Sequence, residues 1–77
     1  MNKVKNNLDD LFYLILKVPK KKDKKKINFN NLKTWDSINH IKLILAIESK
    51  FKIRINPDIS VNLMSYQEIF NFLKNKF

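Results

Sequence analysis

The amino-acid sequence predicts an all-α fold: four helices with a long first loop and a short third helix, in one domain spanning residues 1–77. Three observations carry this prediction. Apolar residues recur at spacings of three and four in three separate segments, which is the period of a helix with one buried face. Pro19 and Pro57 stand where a helix has to stop, because proline cannot continue the hydrogen-bond ladder. Helix-start chemistry occurs at Asp36-Ser37 and again at Ser65.

The first helix reads from about Val4 to Leu16, with Val4, Leu8, Leu11, Phe12 and Ile15 on one stripe and Asp9 and Asp10 on the polar side. From Lys20 to Thr34 nothing is periodic. Lys20 to Lys26 is read as a solvated, flexible charge run, after which Ile27, Phe29 and Leu32 return the chain to an apolar surface. So long a loop needs an anchor in a compact domain, and Phe29 and Leu32 are the candidates. Trp35 is read as a packing anchor at the loop end. The second helix opens at Asp36 or Ser37, either of which can cap it. It continues through Ile38, Ile41, Ile44, Leu45, Ile47 and Phe51, with Leu43 widening the apolar face. Ile53 to Asn56 reads as extended, and Pro57 to Leu63 as a short helix or turn with Ile59, Leu63 and Val61 facing inward. Ser65-Tyr66-Gln67-Glu68 is a capping box, and Ile69, Phe70, Leu73 and Phe77 form the last buried stripe.

Composition narrows the function classes. The 77 residues include no cysteine and one histidine, His40, so neither a disulfide nor a thiolate or histidine-rich metal site is expected. The longest apolar run, Leu11 to Leu16, is far short of the roughly 20 residues that span a bilayer. No small-residue cleavage site follows the basic N-terminus, so a secretory signal is not expected and the expected location is cytoplasmic. The net charge of +9 suits nucleic acid, anionic lipid or acidic proteins. The abundance of lysine and asparagine, with glycine absent, equally fits a coding bias toward AAA and AAT codons.

The order of three blocks is more specific. Asp36-Ser37-Ile38 opens a helix after a long loop, Ile47-Glu48-Ser49-Lys50-Phe51 closes it, and Ile55-Asn56-Pro57-Asp58 precedes a short link and a capped last helix. This arrangement resembles the acyl carrier protein family. That family's pattern is Asp-Ser-Leu, an aliphatic helix, a Leu-Glu-x-x-Phe-like end and an Ile-Pro-x-Asp-like turn. Nearly the whole chain takes part, with Leu8, Leu11, Phe12, Leu16 and Val18 at the family's core positions. The resemblance implies an acyl-carrier-like four-helix bundle. It also implies that Ser37 is the attachment point of a 4′-phosphopantetheine arm, delivered from coenzyme A by a phosphopantetheinyl transferase that uses magnesium. Asp36 would help that transferase hold the metal. The arm would carry acyl or aminoacyl groups as thioesters in a specialised biosynthetic pathway. The protein would be a monomer that catalyses nothing itself. Ile38, Ile41, Lys42 and Leu45 would meet the loading and transferring enzymes. His40, one turn past Ser37, is read as a polar surface residue in preference to a contact with the arm's phosphate.

Two departures matter. Carriers of this family are typically acidic on the second helix, whereas here Lys42, Lys50 and Lys52 stand there and Glu48 is the only acid between Ser37 and Phe51. The usual glycine before Asp-Ser is replaced by Lys33-Thr34-Trp35. A partner with an acidic or mainly apolar docking surface is therefore expected. The alternatives are a small basic nucleic-acid-binding domain and an unmodified carrier-fold interaction module. Lys20 to Lys26 could add a weak contact with anionic membrane. Against nucleic acid, arginine is almost absent, and Phe12, Phe51, Phe70 and Phe72 have core spacing rather than the layout of a stacking platform.

Overall fold

Helix stripes of three- and four-residue spacing set the architecture. In a computed structural model of the chain, which describes residues 2–77, α1 (Asn2–Leu16), α2 (Ser37–Phe51), α3 (Pro57–Ser60) and α4 (Tyr66–Lys76) follow in order, with no strand among the described residues. The all-α reading with four helices therefore holds. α1 packs against both α2 and α4. Leu8, Leu11, Phe12 and Leu16 of α1 join Leu43, Ile44 and Ile47 of α2, and Tyr66, Ile69 and Leu73 of α4, in one buried cluster. The Cα radius of gyration, 11.2 Å, matches the roughly 11.5 Å expected for a folded chain of this length.

The helix ends follow from local chemistry. Asp36 caps α2, its side chain accepting from the Asn39 N–H. Ser65 caps α4 by accepting from the Glu68 N–H at 3.1 Å, and its hydroxyl donates to Glu68 Oε1. The capping box thus closes through the hydroxyl. The chain has no glycine to supply positive φ at a helix exit, so lysines adopt it, Lys17 at 61° and Lys52 at 56°. At the second exit the Ile53 N–H reaches Glu48 O at 3.2 Å, the six-to-one bond of a Schellman motif.

The first loop is anchored more heavily than its sequence suggests. Ile27 is buried and Phe29 and Leu32 pack against the core, as expected of them. An antiparallel bridge between Asn28 and Ser65 adds backbone bonds, Phe29 N–H to Met64 O at 2.7 Å and Tyr66 N–H to Ile27 O at 3.0 Å. Thr34 Oγ1 donates to Leu16 O at 2.6 Å and ties the loop's end to the end of α1. Trp35 is buried, which fits the anchoring role read for it.

Several expectations need correction. Asp9 does not lie on a solvated face; it is 6% exposed. The run Lys20 to Lys26 is not uniformly solvated either, because Lys24 is 4% exposed. These two errors have one cause. Lys24 Nζ donates to Lys20 O at 2.9 Å and Lys22 O at 3.1 Å, and lies 3.6 Å from Asp9 Oδ1. Asp9 also accepts from Tyr66 Oη at 2.7 Å and from Lys5 Nζ at 2.9 Å. A charged group is buried only when so satisfied. Lys20 pairs with Asp10 at 3.0 Å, so the run offers less free charge to a membrane than its sequence suggests.

The third helix ends at Ser60 rather than near Leu63. Three-residue turn bonds, Asn62 N–H to Ile59 O and Leu63 N–H to Ser60 O, tighten the chain beyond it. That turn sends Leu63 inward and leaves Ile59 and Val61 exposed. Ile53 to Asn56 lies outside any helix or strand, with Asn56 extended at φ −64°, ψ 146°, in keeping with the extended reading. Phe77 lies past the end of α4 and is 68% exposed, resting on Phe51 with ring centroids 5.8 Å apart.

The Asp9 cluster makes stability depend on acid. Burial alone would raise the Asp9 pKa, but the hydrogen bonds from Tyr66 and Lys5 and the charges of Lys24 and Lys5 hold it below the usual carboxylate range. Burial and the Asp9 carboxylate in turn push the Tyr66 phenol well above its ordinary value, so it stays a donor. A depressed carboxylate contributes stability that is complete above its unfolded value, about 3.9, and is lost as pH falls through the folded value. Urea midpoints should therefore fall below about pH 4, and the fall should be shallower in Asp9→Asn. Equal acid slopes in the two proteins would show that Asp9 is not depressed.

Candidate functional site

The site begins with the capping of α2. Asp36 and Ser37 are both exposed, Asp36 as the N-cap and Ser37 as the first helical residue. The Asn39 N–H is taken by Asp36 Oδ1 at 2.8 Å, and the His40 N–H by Asp36 O at 2.8 Å. Helix geometry leaves the N–H groups of Asp36, Ser37 and Ile38 without an intrahelical acceptor. These donors, with the positive end of the helix dipole, form an environment suited to a phosphate on the Ser37 hydroxyl.

The loop holds this end from behind. Asn39 Nδ2 donates to Thr34 O at 2.8 Å. Trp35 is 2% exposed, meets the Phe12 ring edge-on at 5.4 Å, and stacks on His40 with centroids 6.0 Å apart. His40 is the clearest correction at the site. Far from being a surface residue, it is 7% exposed. Its Nδ1 accepts from Trp35 Nε1 at 3.0 Å, and its Nε2 lies 2.9 Å from Ser60 O. Indole can only donate and a carbonyl can only accept, so the ring is neutral with its proton on Nε2. His40 therefore fastens the loop end to α2 and α3. Its buried ring is committed to those bonds and is not aimed at a phosphate on Ser37.

Ile38, Ile41, Lys42 and Leu45 are all exposed, and at about 100° per residue they share one arc of about 100°. The three aliphatic members are 67%, 60% and 58% exposed, so the apolar stripe of α2 is wider than its core contact. Ser37 borders this arc on the Ile41 side. Beside it, α2 and α3 enclose a groove of about 330 Å³ lined by Ile41, Ile44, Leu45, Ile55 and Pro57, with His40 at its wall. Ile41 and Leu45 serve both the exposed face and the groove; Ile38 and Lys42 belong to the face alone.

Glu48 is less available than its position suggests. Its Oε2 accepts from the Ile55 N–H at 2.7 Å, joining the end of α2 to the turn before Pro57. The second and third sequence blocks are thus in direct contact. Glu48 keeps its charge but is half-buried, so the fully exposed charges of α2 are the ammoniums of Lys42 and Lys50. The sequence did not suggest that Ile59 and Val61 add exposed apolar surface, since their spacing equally fits an inward helix. Among the described residues, no group of three metal-ligating side chains is brought together, and no helix is long and apolar enough to cross a membrane. The chain matches no family model, and a search of curated proteins finds none similar to it.

Proposed function

We propose that the chain is an acyl carrier protein, with the carrier type of four-helix bundle, whose Ser37 hydroxyl bears a 4′-phosphopantetheine arm. The observation that carries this reading is the surroundings of Ser37. It is an exposed serine at the first position of a 15-residue helix, behind an aspartate cap, bordering an aliphatic face that stays exposed among the described residues. A serine needed only as a cap would stand at position 36, and Asp36 already fills that role. The fold itself makes no use of exposed Ile38, Ile41 and Leu45, which would be costly in a domain with no partner.

The residues divide the work accordingly. Ser37 supplies the nucleophilic oxygen and gives up its proton to the transferase. The pyrophosphate bond of coenzyme A breaks with adenosine 3′,5′-bisphosphate leaving, and the resulting phosphodiester lies against the free first-turn donors. The Asp36 carboxylate, half engaged as a cap, keeps its Oδ2 free to contribute to magnesium held by the transferase. When bound, the arm supplies a terminal thiol for thioester cargo. Ile38, Ile41 and Leu45 provide an apolar landing for a partner enzyme, and Lys42 on the same arc selects a partner with acidic or neutral surroundings. The nucleic-acid reading gains nothing from the fold: Phe12 is fully buried, Phe51, Phe70 and Phe72 are half-buried, and Lys24 is withdrawn from the basic run.

Incubation with coenzyme A, magnesium and a promiscuous phosphopantetheinyl transferase tests the reading by intact mass. The wild type is expected to gain one arm, and Ser37→Ala none. An Ile41→Asp, Leu45→Asp pair should keep the helical spectrum and slow loading at least about tenfold, equivalent to about 1.4 kcal/mol of lost apolar contact. An unmodified wild type would leave the interaction-module alternative in place.

A further inference from the structure

At the far end of α2 from Ser37 lies a second groove, of about 650 Å³, for which the carrier reading has no use. It opens where the last turns of α2 and α4 meet the start of α1. Phe51, Phe70 and Phe77 supply its apolar wall. Phe51 and Phe70 pack against the core but stay half-buried, and Phe77 is 68% exposed, so all three rings keep apolar surface open to solvent. Lys3, Lys50, Lys52 and Lys74 stand around them, and every charged side chain that lines the groove is a lysine.

Charge arithmetic decides what this can hold. The C-terminal ends of α2 and α4 each carry about −0.5 of an elementary charge, which four ammoniums more than offset. The groove beside the first loop is also net positive, with lysines outnumbering Asp9 and Asp23, but its rings are Phe70 and the buried Tyr66, so it lacks an open aromatic wall. The far-end groove combines a wall of three phenylalanines with a net positive rim. Its volume lies within the roughly 300–1,000 Å³ of small-molecule sites.

We propose that this groove binds a single-chain amphiphile with a carboxylate head, its hydrocarbon chain against Phe51, Phe70 and Phe77 and its head among the lysines. The concave shape favours a monomeric amphiphile over a flat membrane surface. The site is separate from Ser37, so it needs no arm, and its fate is independent of the carrier reading.

Dodecanoate, below its micelle concentration, is the probe. Titrated into ¹⁵N-labelled full-length protein that has never met coenzyme A, it is expected to shift the amides of Phe51, Lys52, Lys74 and Phe77 saturably. Dodecyltrimethylammonium, with a similar chain and the opposite head, should bind at least about tenfold more weakly, and binding should weaken with salt. Lys50→Glu with Lys74→Glu, and separately Phe77→Ala, should each reduce affinity about tenfold. All three positions are exposed, and unchanged amide spectra elsewhere would show that the variants are folded. Saturable shifts centred on Ile41, Leu45 and Ile55 would overturn the proposal, as would equal binding of the cationic analogue. So would wild-type affinity in both variants, no saturable binding, or binding to anionic phosphatidylglycerol vesicles without binding to monomeric dodecanoate.

Discussion

Replacing Trp35 with alanine is expected to lower the unfolding free energy by about 3–5 kcal/mol. The indole is 2% exposed and fills the junction between the loop end, α1 and α2, edge-on to Phe12 and stacked on His40. Its removal leaves a cavity and also strips His40 Nδ1 of its only donor, leaving a buried acceptor unpaired. For a chain of this length total stability is about 4–12 kcal/mol, so the variant should be largely or wholly unfolded at moderate urea. Trp35→Phe separates the two losses. It keeps most of the apolar volume and removes only the donor, and should cost about 1–3 kcal/mol. Trp35 is the sole tryptophan, so the transition has to be followed by far-ultraviolet circular dichroism. A cost below about 1 kcal/mol for the alanine variant would contradict its role as the loop anchor.

The second large effect is expected at Asp9. Asp9→Ala removes the acceptor of Tyr66 Oη and the counter-charge of buried Lys24 together. Breaking a buried ion pair from one side typically costs about 3–5 kcal/mol, because the remaining charge is left uncompensated. Lys24→Met should cost much less. It removes the buried charge itself, and Asp9 keeps its bonds from Lys5 and Tyr66. In the double variant the penalty of Asp9→Ala should shrink, and a double-mutant cycle on urea midpoints measures the coupling. Additive effects would mean that Asp9 and Lys24 do not act as a pair, and that their contact does not fasten the first loop to α1.

The helices and their starts were visible because they depend on local chemistry: apolar spacing, Asp36 and Ser65 as caps, Pro19 and Pro57 as stops. Phe29, Leu32 and Trp35 could be placed as anchors, since an apolar residue in a polar loop has few other uses. Asp9, Lys24 and His40 were misplaced for the opposite reason. Each is buried by partners far along the chain, Asp9 by Tyr66 and Lys24, His40 by Ser60, and no local pattern encodes such a pairing. The exposed half of α2 was legible only as an excess of aliphatic residues. Spacing alone could not say that Leu43 faces inward while Ile38, Ile41 and Leu45 face out. At the candidate site, Ser37 and Asp36 were found by their place among three ordered blocks, and the structure adds the exposed face and the groove beside them. The fully exposed charges of α2 are ammoniums, because Glu48 is half-buried and turned to the Ile55 N–H. The exposed face of α2 thus presents aliphatic side chains and ammoniums.

The central claim is that Ser37, and no other serine, bears the arm. The most direct measurement is a fragment mass spectrum of protein treated with coenzyme A and a phosphopantetheinyl transferase. Ser49, Ser60 and Ser65 are the other serines in the chain. The account predicts one phosphopantetheine adduct, on fragments containing Ser37, and none on Ser37→Ala of unchanged helical content. No adduct with several transferases, or an adduct that persists in Ser37→Ala, would contradict it.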